Sequence, residues 1–308
     1  MSNAIEVRGV TKRFDKVVAL NDLSFDVAHG ELFGLVGPDG AGKSTLFRIL
    51  TTLVLPDSGT AAVLGFNVAR HLWDIRSRVG YMPGGFSLYP DLSVSENLEF
   101  FAAVFGTTVE QGYELIAPVY RQIEPFRDRR VDALSGGMKQ KLALSCALVH
   151  RPEILLLDEP TTGVDALSRR EFWDHLAALK VSGLTIVVST PYMDEAMRCD
   201  RVALIHDGRI LDIDAPAAIG SRFERPLFAV YGEHRYAMLQ ALRRFEHSDS
   251  VYLFGDSLHY TDDREVQAPS VIEELTSYLH ANGHADARVE PIAAGIEDSF
   301  MALMGSAA

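Results

Sequence analysis

Apolar and polar side chains alternate in short stretches through the first 36 residues, with turn residues between them. This pattern predicts strands of an antiparallel edge at residues 4–10, 16–20, 23–27 and 31–36. From residue 93 to about 147, apolar positions recur at helical spacing after a capping box, Ser93 to Glu96. Beyond residue 150, apolar runs such as 154–157 alternate with helical stretches. This alternation predicts a mainly parallel sheet with helices on both faces.

The pattern changes near residue 220. The later segments follow the order β, α, ββ, α, β with a last helix at 296–304, which predicts a small α+β domain. With 308 residues, 47% of them apolar, the chain is long enough for two domains. We predict an α/β domain at 1–220, with a helical subdomain at about 87–150, and an accessory α+β domain at 226–308.

Charge and composition narrow the class of partner. The chain has 29 basic and 42 acidic side chains, a net charge of −13, which argues against nucleic acid as the main partner. Its two cysteines lack metal-ligand spacing, which suits a reducing compartment. No apolar run approaches the ~20 residues that span a bilayer. We therefore expect a cytoplasmic protein whose membrane role comes through another chain.

A glycine-rich loop between an apolar strand and a helix fits the phosphate-binding pattern G-x-x-x-x-G-K-[ST]. Its residues, the predicted nucleotide-binding set, are Gly37, Pro38, Asp39, Gly40, Ala41, Gly42, Lys43, Ser44 and Thr45. Glycines let backbone N–H groups converge on phosphate, and the helix N-terminus adds its positive dipole end. Lys43 is expected to reach the β- and γ-phosphates of a bound di- or triphosphate, and the Ser44 hydroxyl is expected to hold Mg²⁺.

Two further stretches carry chemistry. Asp158 and Glu159 follow the apolar run 154–157, so a parallel sheet would place them at its carboxyl edge. We assign Asp158 as metal anchor and Glu159 as general base. Residues 135–137, Ser-Gly-Gly, precede a predicted helix and offer a second anion-binding end.

These motifs, in this order, resemble the ATP-binding subunits of ABC transporters. Residues 37–45 resemble Walker A, ILLLDE at 154–159 resembles Walker B with its catalytic glutamate, and LSGGMKQ at 134–140 resembles the signature sequence. Asp165 resembles the D-loop aspartate, and Phe14 lies where the family has an adenine-stacking aromatic. The resemblance spans about residues 4–215, and the stretches 81–98 and 189–210 are most similar to the drug-exporter branch.

The resemblance implies a mechanism with partners. Two such domains pair head to tail as a homodimer or heterodimer, and each ATP lies between one chain's Walker motifs and the other's signature. The signature residues expected at the partner's nucleotide are Leu134, Ser135, Gly136, Gly137 and Gln140. Closure upon ATP binding and opening after hydrolysis would drive permease subunits, with this chain on the inner face of the cell membrane. The transported substrate lies outside what these residues specify.

Three positions depart from the family pattern. Gly84 replaces a glutamine that contacts Mg²⁺ and the attacking water, and Pro191 replaces a histidine that contacts the γ-phosphate. Asp39 replaces an asparagine or serine and adds negative charge beside phosphate. One hypothesis is a slow site that works beside a different ATPase subunit; another is a slow homodimer that relies on Glu159 alone. A soluble ABC protein without a permease and a regulatory nucleotide sensor are the alternative functions.

Overall fold

The computed structural model describes residues 3–85, 87–264 and 266–307. The chain divides into two compact units, the first ending at Pro216 and the second beginning at Ala217. The strands of the first unit are β1 (Asn3–Phe14), β2 (Val17–Ala28), β3 (Leu32–Val36), β4 (Ser58–Val63), β5 (Phe66–Asn67), β6 (Val79–Met82), β7 (Ile154–Asp158), β8 (Thr185–Thr190), β9 (Arg201–His206) and β10 (Arg209–Asp214). Its helices are α1 (Lys43–Leu50), α2 (Leu72–Arg76), α3 (Val94–Val104), α4 (Val109–Tyr120), α5 (Gly136–Leu148), α6 (Ala166–Val181) and α7 (Met193–Ala196), with 3₁₀ turns at Glu124–Phe126 and Val131–Ala133.

The central sheet has the strand order β10-β9-β3-β8-β7-β6. All neighbouring pairs are parallel except β10 with β9. Every residue of β3, β7 and β8 is buried, as expected for strands covered on both faces. The predicted mainly parallel α/β fold is therefore confirmed, and the carboxyl ends of these three strands lie at one edge of the sheet.

A separate antiparallel sheet has the order β2-β1-β4-β5. Two details of its prediction were wrong. Residues 16–20 and 23–27 were predicted as two strands, but 17–28 form one strand, β2. The strand continues through an irregularity at Asp22, which has a φ of 58° and donates its backbone N–H to Thr11 Oγ1. Residues 31–36 lie in the parallel sheet instead, since β3 is buried on both faces.

The helices α3, α4 and α5 form the predicted helical segment. The predicted capping box at Ser93 and Glu96 is confirmed, with Glu96 N donating to Ser93 Oγ and Ser93 N donating to Glu96 Oε2. Helix α4 passes very close to the end of α5. An added Cβ at Gly112 would lie 2.1 Å from the carbonyl oxygen of Val149, so a glycine is required there.

The second unit has the predicted order of elements. After α8 (Pro216–Ser221), these are β11 (Leu227–Tyr231), α9 (Arg235–Leu242), β12 (Ser248–Phe254), β13 (Ser257–Asp262), α10 (Ala268–Ala281), β14 (Arg288–Ile292) and α11 (Ile296–Ala307). The antiparallel sheet order β12-β13-β11-β14 with this βαββαβ sequence is a ferredoxin-like arrangement. Its core joins alternate residues of β11 and β13, such as Phe228 and Tyr260, to Leu242 and Leu275 of α9 and α10.

We expect Gly112→Ala to destabilise the first unit by about 1–3 kcal/mol, because the new methyl group would collide with backbone at Val149. Both tryptophans, Trp73 and Trp173, lie in the first unit, so urea unfolding followed by tryptophan fluorescence reports on it. The control is Glu114→Ala on the same helix, which removes only an exposed ion pair with Arg151. Equal unfolding midpoints for the two variants would contradict this packing argument.

Candidate nucleotide site

The phosphate loop joins the end of β3 to the start of α1. Two of its glycines pack directly against neighbouring backbone: an added Cβ would lie 2.1 Å from Ile205 O at Gly37 and 2.3 Å from Ala19 O at Gly42. Gly42 also has a φ of 103°, which side-chain-bearing residues rarely adopt. The backbone shape needed to present N–H groups to phosphate is therefore built into the fold.

Lys43 is the first residue of α1, and its side chain is 3% exposed. Its ammonium donates to the carbonyl oxygens of Gly37, at 2.8 Å, and Pro38, at 2.9 Å. The third contact is an ion pair with Glu159, with Nζ 3.1 Å from Oε1. An ammonium has three N–H donors. These three contacts therefore give each donor an acceptor in this structure.

The two acidic residues at the end of β7 share one partner on β8. Ser189 donates its hydroxyl to Asp158 Oδ1 at 2.6 Å and accepts the backbone N–H of Glu159 at 2.9 Å. Glu159 has a φ of 50°, a conformation that proteins retain mostly at functional positions. The Asp158 charge also acts on Tyr81. Two effects raise the pKa of Tyr81 to about 12: its burial, which is the larger, and the charge of Asp158.

Ser44 and Asp158 line one cavity of about 820 Å³, together with Gly84. Hydroxyl and carboxylate oxygens are the ligands that Mg²⁺ prefers, so this donor pair fits the ion. An added Cβ at Gly84 would lie 3.6 Å from Asp158 Oδ2, which places position 84 beside the carboxylate. Glycine supplies no side-chain ligand there.

The signature residues divide into exposed and buried groups. Ser135 and Gly136 are exposed at the start of α5, where Ser135 Oγ accepts the Met138 N–H. Leu134 and Gln140 are buried within their own chain, and Gln140 Nε2 donates to Pro160 O at 2.7 Å. Gly137 is also buried. Of these five residues, only Ser135 and Gly136 are exposed in this structure.

The remaining predicted site residues lie at the ends of elements. Asp165 caps α6 by accepting the Ser168 N–H at 3.0 Å, and this hydrogen bond lowers the Asp165 pKa. Phe14, at the end of β1, is exposed, with Lys12 Nζ 5.4 Å from its ring centre. Among the other phosphate-loop residues, Ala41 is buried. The rest are exposed or partly buried; they are Pro38, Asp39, Gly40, Ser44 and Thr45.

Sequence reasoning missed Ser189 and Glu195. The hydroxyl of Ser189, on β8, bonds to both acidic residues, and Glu195 is a buried acid on α7. For Ser189, the available signal was a polar residue near the end of an apolar strand. For Glu195, it was an acid next to an alanine in a short helix that buries both residues. Both signals are weak without the fold.

Comparisons with known proteins identify the family. A family model described as ABC transporter matches residues 20–162. The chain is 38% identical over 307 residues to Nod factor export ATP-binding protein I of Burkholderia orbicola, covering 98% of this chain and 97% of that protein. It is 42% identical over 214 residues to the probable multidrug ABC transporter ATP-binding protein YbhF of Escherichia coli, covering 69% of this chain but 37% of that protein.

Solved structures agree with these matches. A structure of an ATP-binding subunit of an ABC transporter has a TM-score of 0.65 and 28% identity, covering 71% of this chain and 93% of its own. An ATP-binding cassette solved as a post-hydrolysis dimer with ADP and Pi has a TM-score of 0.62 and 26% identity, covering 68% of this chain and 98% of its own. The chain belongs to the ATP-binding proteins of the ABC transporter family.

One structural finding bears on membranes. In the part of the chain that the structure describes, no helix combines the length and apolar character required to cross a bilayer.

We expect Glu159→Gln to raise ATP affinity about threefold to tenfold, because it removes the negative charge that competes with phosphate for Lys43. The measurement is a fluorescent-ATP titration without Mg²⁺, at concentrations where the chain is monomeric. The control, Glu153→Gln, removes an exposed acid that pairs with Arg78 instead. Lys43→Ala should weaken binding and cancel the gain; a gain that persists in the Lys43→Ala background would refute the competition.

Proposed function

We propose that this chain is the energy-coupling subunit of an ABC exporter, binding and hydrolysing Mg-ATP to move partner membrane subunits. The observation that carries the proposal is the meeting of Lys43, Ser44, Asp158 and Glu159 at one edge of the parallel sheet. Its similarity over nearly the full length to a Nod factor export ATP-binding protein supports the exporter class. The first unit would be the nucleotide-binding domain, and the second an accessory domain.

The chain's own residues have distinct roles in this mechanism. Lys43 would leave Glu159 and bind the β- and γ-phosphates, while Ser44 and Asp158 would hold Mg²⁺. The metal would neutralise charge on the phosphates. Glu159, once released from Lys43, would accept a proton from the attacking water. Phe14 would stack on the adenine, and its exposed ring supports that role.

A second ATPase subunit would complete each site. Ser135 and Gly136 are exposed at the tip of α5, where backbone N–H groups and the helix dipole favour an anion. We propose that this tip contacts the γ-phosphate of nucleotide on the partner subunit. Asp165 would lie at the same subunit boundary.

This chain's own hydrolytic site would turn over slowly. Gly84 lies beside Asp158 without a side-chain ligand, and Pro191 follows Thr190 without a donor. Missing transition-state contacts lower the rate more than they lower nucleotide affinity. The proposal is therefore an asymmetric assembly, in which the intact signature serves a faster site on another subunit.

Gly84→Gln with Pro191→His should raise the ATPase rate of the purified chain about 100- to 1000-fold, because it restores an oriented transition-state contact. The rate is measured by phosphate release under saturating Mg-ATP. The control, Gly84→Ala with Pro191→Ala, changes the same backbone positions without adding a ligand. Fast wild-type turnover that Glu159→Gln abolishes would overturn the slow-site proposal, and ATP binding without turnover in any complex would favour a regulatory sensor.

The cavity that contains Ser44 and Asp158 opens into a mostly apolar groove, which we propose as the docking place of the membrane partner. Its lining includes exposed Leu53, Trp73 and Val104. Burial lowers the pKa of His150 to about 4, so its ring, stacked on Phe105, is neutral. An apolar groove next to the nucleotide site suits a partner segment that must sense the site's closure. It would hold the chain at the inner face of the cell membrane.

Trp73→Asp should release the chain from native membranes while leaving ATP affinity unchanged, because Trp73 is 75% exposed in the groove. The readout is the fraction of chain that sediments with membranes and co-purifies with a hydrophobic protein in detergent. The control is Val181→Asp, at an apolar residue that is 87% exposed outside the groove. Equal retention of both variants would contradict the assignment of the groove, and association with ribosomes instead would favour a soluble ABC protein.

A further inference from the structure

A buried carboxylate joins two segments on either side of the nucleotide site. Glu195, on α7, is 2% exposed. Thr161 donates its hydroxyl to Glu195 Oε1 at 2.6 Å, and Thr190 donates its hydroxyl to Oε2 at 2.6 Å. Arg169 Nε lies 3.6 Å from Oε1. Each oxygen therefore has its own hydroxyl donor, and the two donors come from different segments.

Each threonine belongs to a segment that carries site residues. Thr190 ends β8, and its carbonyl oxygen accepts the N–H of Gly37, the first residue of the phosphate loop, at 3.3 Å. Thr161 lies two residues after Glu159, in the loop whose Pro160 carbonyl accepts from Gln140 of α5. Glu195 thus connects the base-carrying loop to the strand that supports the phosphate loop.

Ser189 joins the same two segments where the pairing of β7 with β8 ends. The hydroxyl of Ser189 bonds to Asp158 and to the N–H of Glu159. Glu195 adds a contact further along both segments, beyond the last paired residues, and so fixes their relative orientation. The turn between Thr190 and α7 contains Pro191, which supplies no side-chain donor of its own.

We propose that Glu195 is a positioning residue for hydrolysis: through Thr161 and Thr190 it fixes the loop of Glu159 against the end of β8. This inference rests on the ATP hydrolysis proposed above. Catalytic groups must be held close to their productive geometry, and a displacement of about 1 Å can cost on the order of 100-fold in rate. Glu195 acts through the two threonines.

The test is Glu195→Gln, made in the wild-type chain and in the Gly84→Gln/Pro191→His background. The amide keeps the shape of the side chain but replaces one acceptor oxygen with a donor, so one threonine hydroxyl loses the acceptor of its proton. We expect kcat to fall on the order of 100-fold, with KM and ATP affinity unchanged. The matched control is Asp194→Asn, which removes the neighbouring, exposed acid that also lies near Arg169 but contacts neither threonine.

Two threonine variants separate positioning from general stability. Thr161→Val and Thr190→Val keep the carboxylate and remove one hydroxyl each, so they report on the same contacts even where Glu195→Gln folds poorly. Their effects on kcat should be strongly non-additive with that of Glu195→Gln. A merely structural role predicts that ATP affinity and kcat are lost together, with a matching loss of folding stability.

The outcomes distinguish this inference from the function on which it rests. If Glu195→Gln and Asp194→Asn have equal turnover, the role of Glu195 is overturned and the hydrolytic function is not. ATP binding without turnover in either background would overturn the hydrolytic function, and this inference with it.

Discussion

The ammonium group of Lys43 organises the site, because all three of its hydrogens are already engaged. Two bond to carbonyl oxygens of the loop that wraps around it, and the third faces Glu159. A buried cation requires such partners, since an unpaired charge is costly away from water. In the proposed mechanism, phosphate would take the place of the carboxylate. The exchange would couple arrival of the substrate to release of the general base.

The register of the parallel sheet makes that exchange geometrically possible. Val36 pairs with Thr190 and Asp158 pairs with Ser189, so the phosphate loop, the acidic pair and the turn that contains Pro191 begin at neighbouring points of one edge. A shift of one residue would turn the Asp158 side chain to the opposite face. The buried apolar runs of β3, β7 and β8 therefore specify function as well as stability.

Structural features that depend on neighbouring residues in the sequence could be predicted, and features that depend on contacts between distant segments could not. The capping box at Ser93 and the order of elements in the second unit follow from local spacing. The path of β2 through Asp22 depends on an unusual backbone angle and a contact with Thr11. Likewise, Ser189 and Glu195 become site residues only when β7, β8 and α7 are packed together. The roles of the signature and D-loop residues stay predictions.

In the proposed mechanism, binding and hydrolysis depend on different parts of the site, which is the physical basis of the asymmetric assembly. The groups expected to hold nucleotide are backbone N–H groups, Lys43 and Ser44, and the loop that presents them is fixed by close packing at Gly37. The rate depends instead on side chains oriented toward the transition state. Gly84 and Pro191 supply no such side chains, and neither belongs to the phosphate loop. A chain of this kind can keep its affinity for ATP and still contribute its exposed Ser135–Gly136 tip to another subunit.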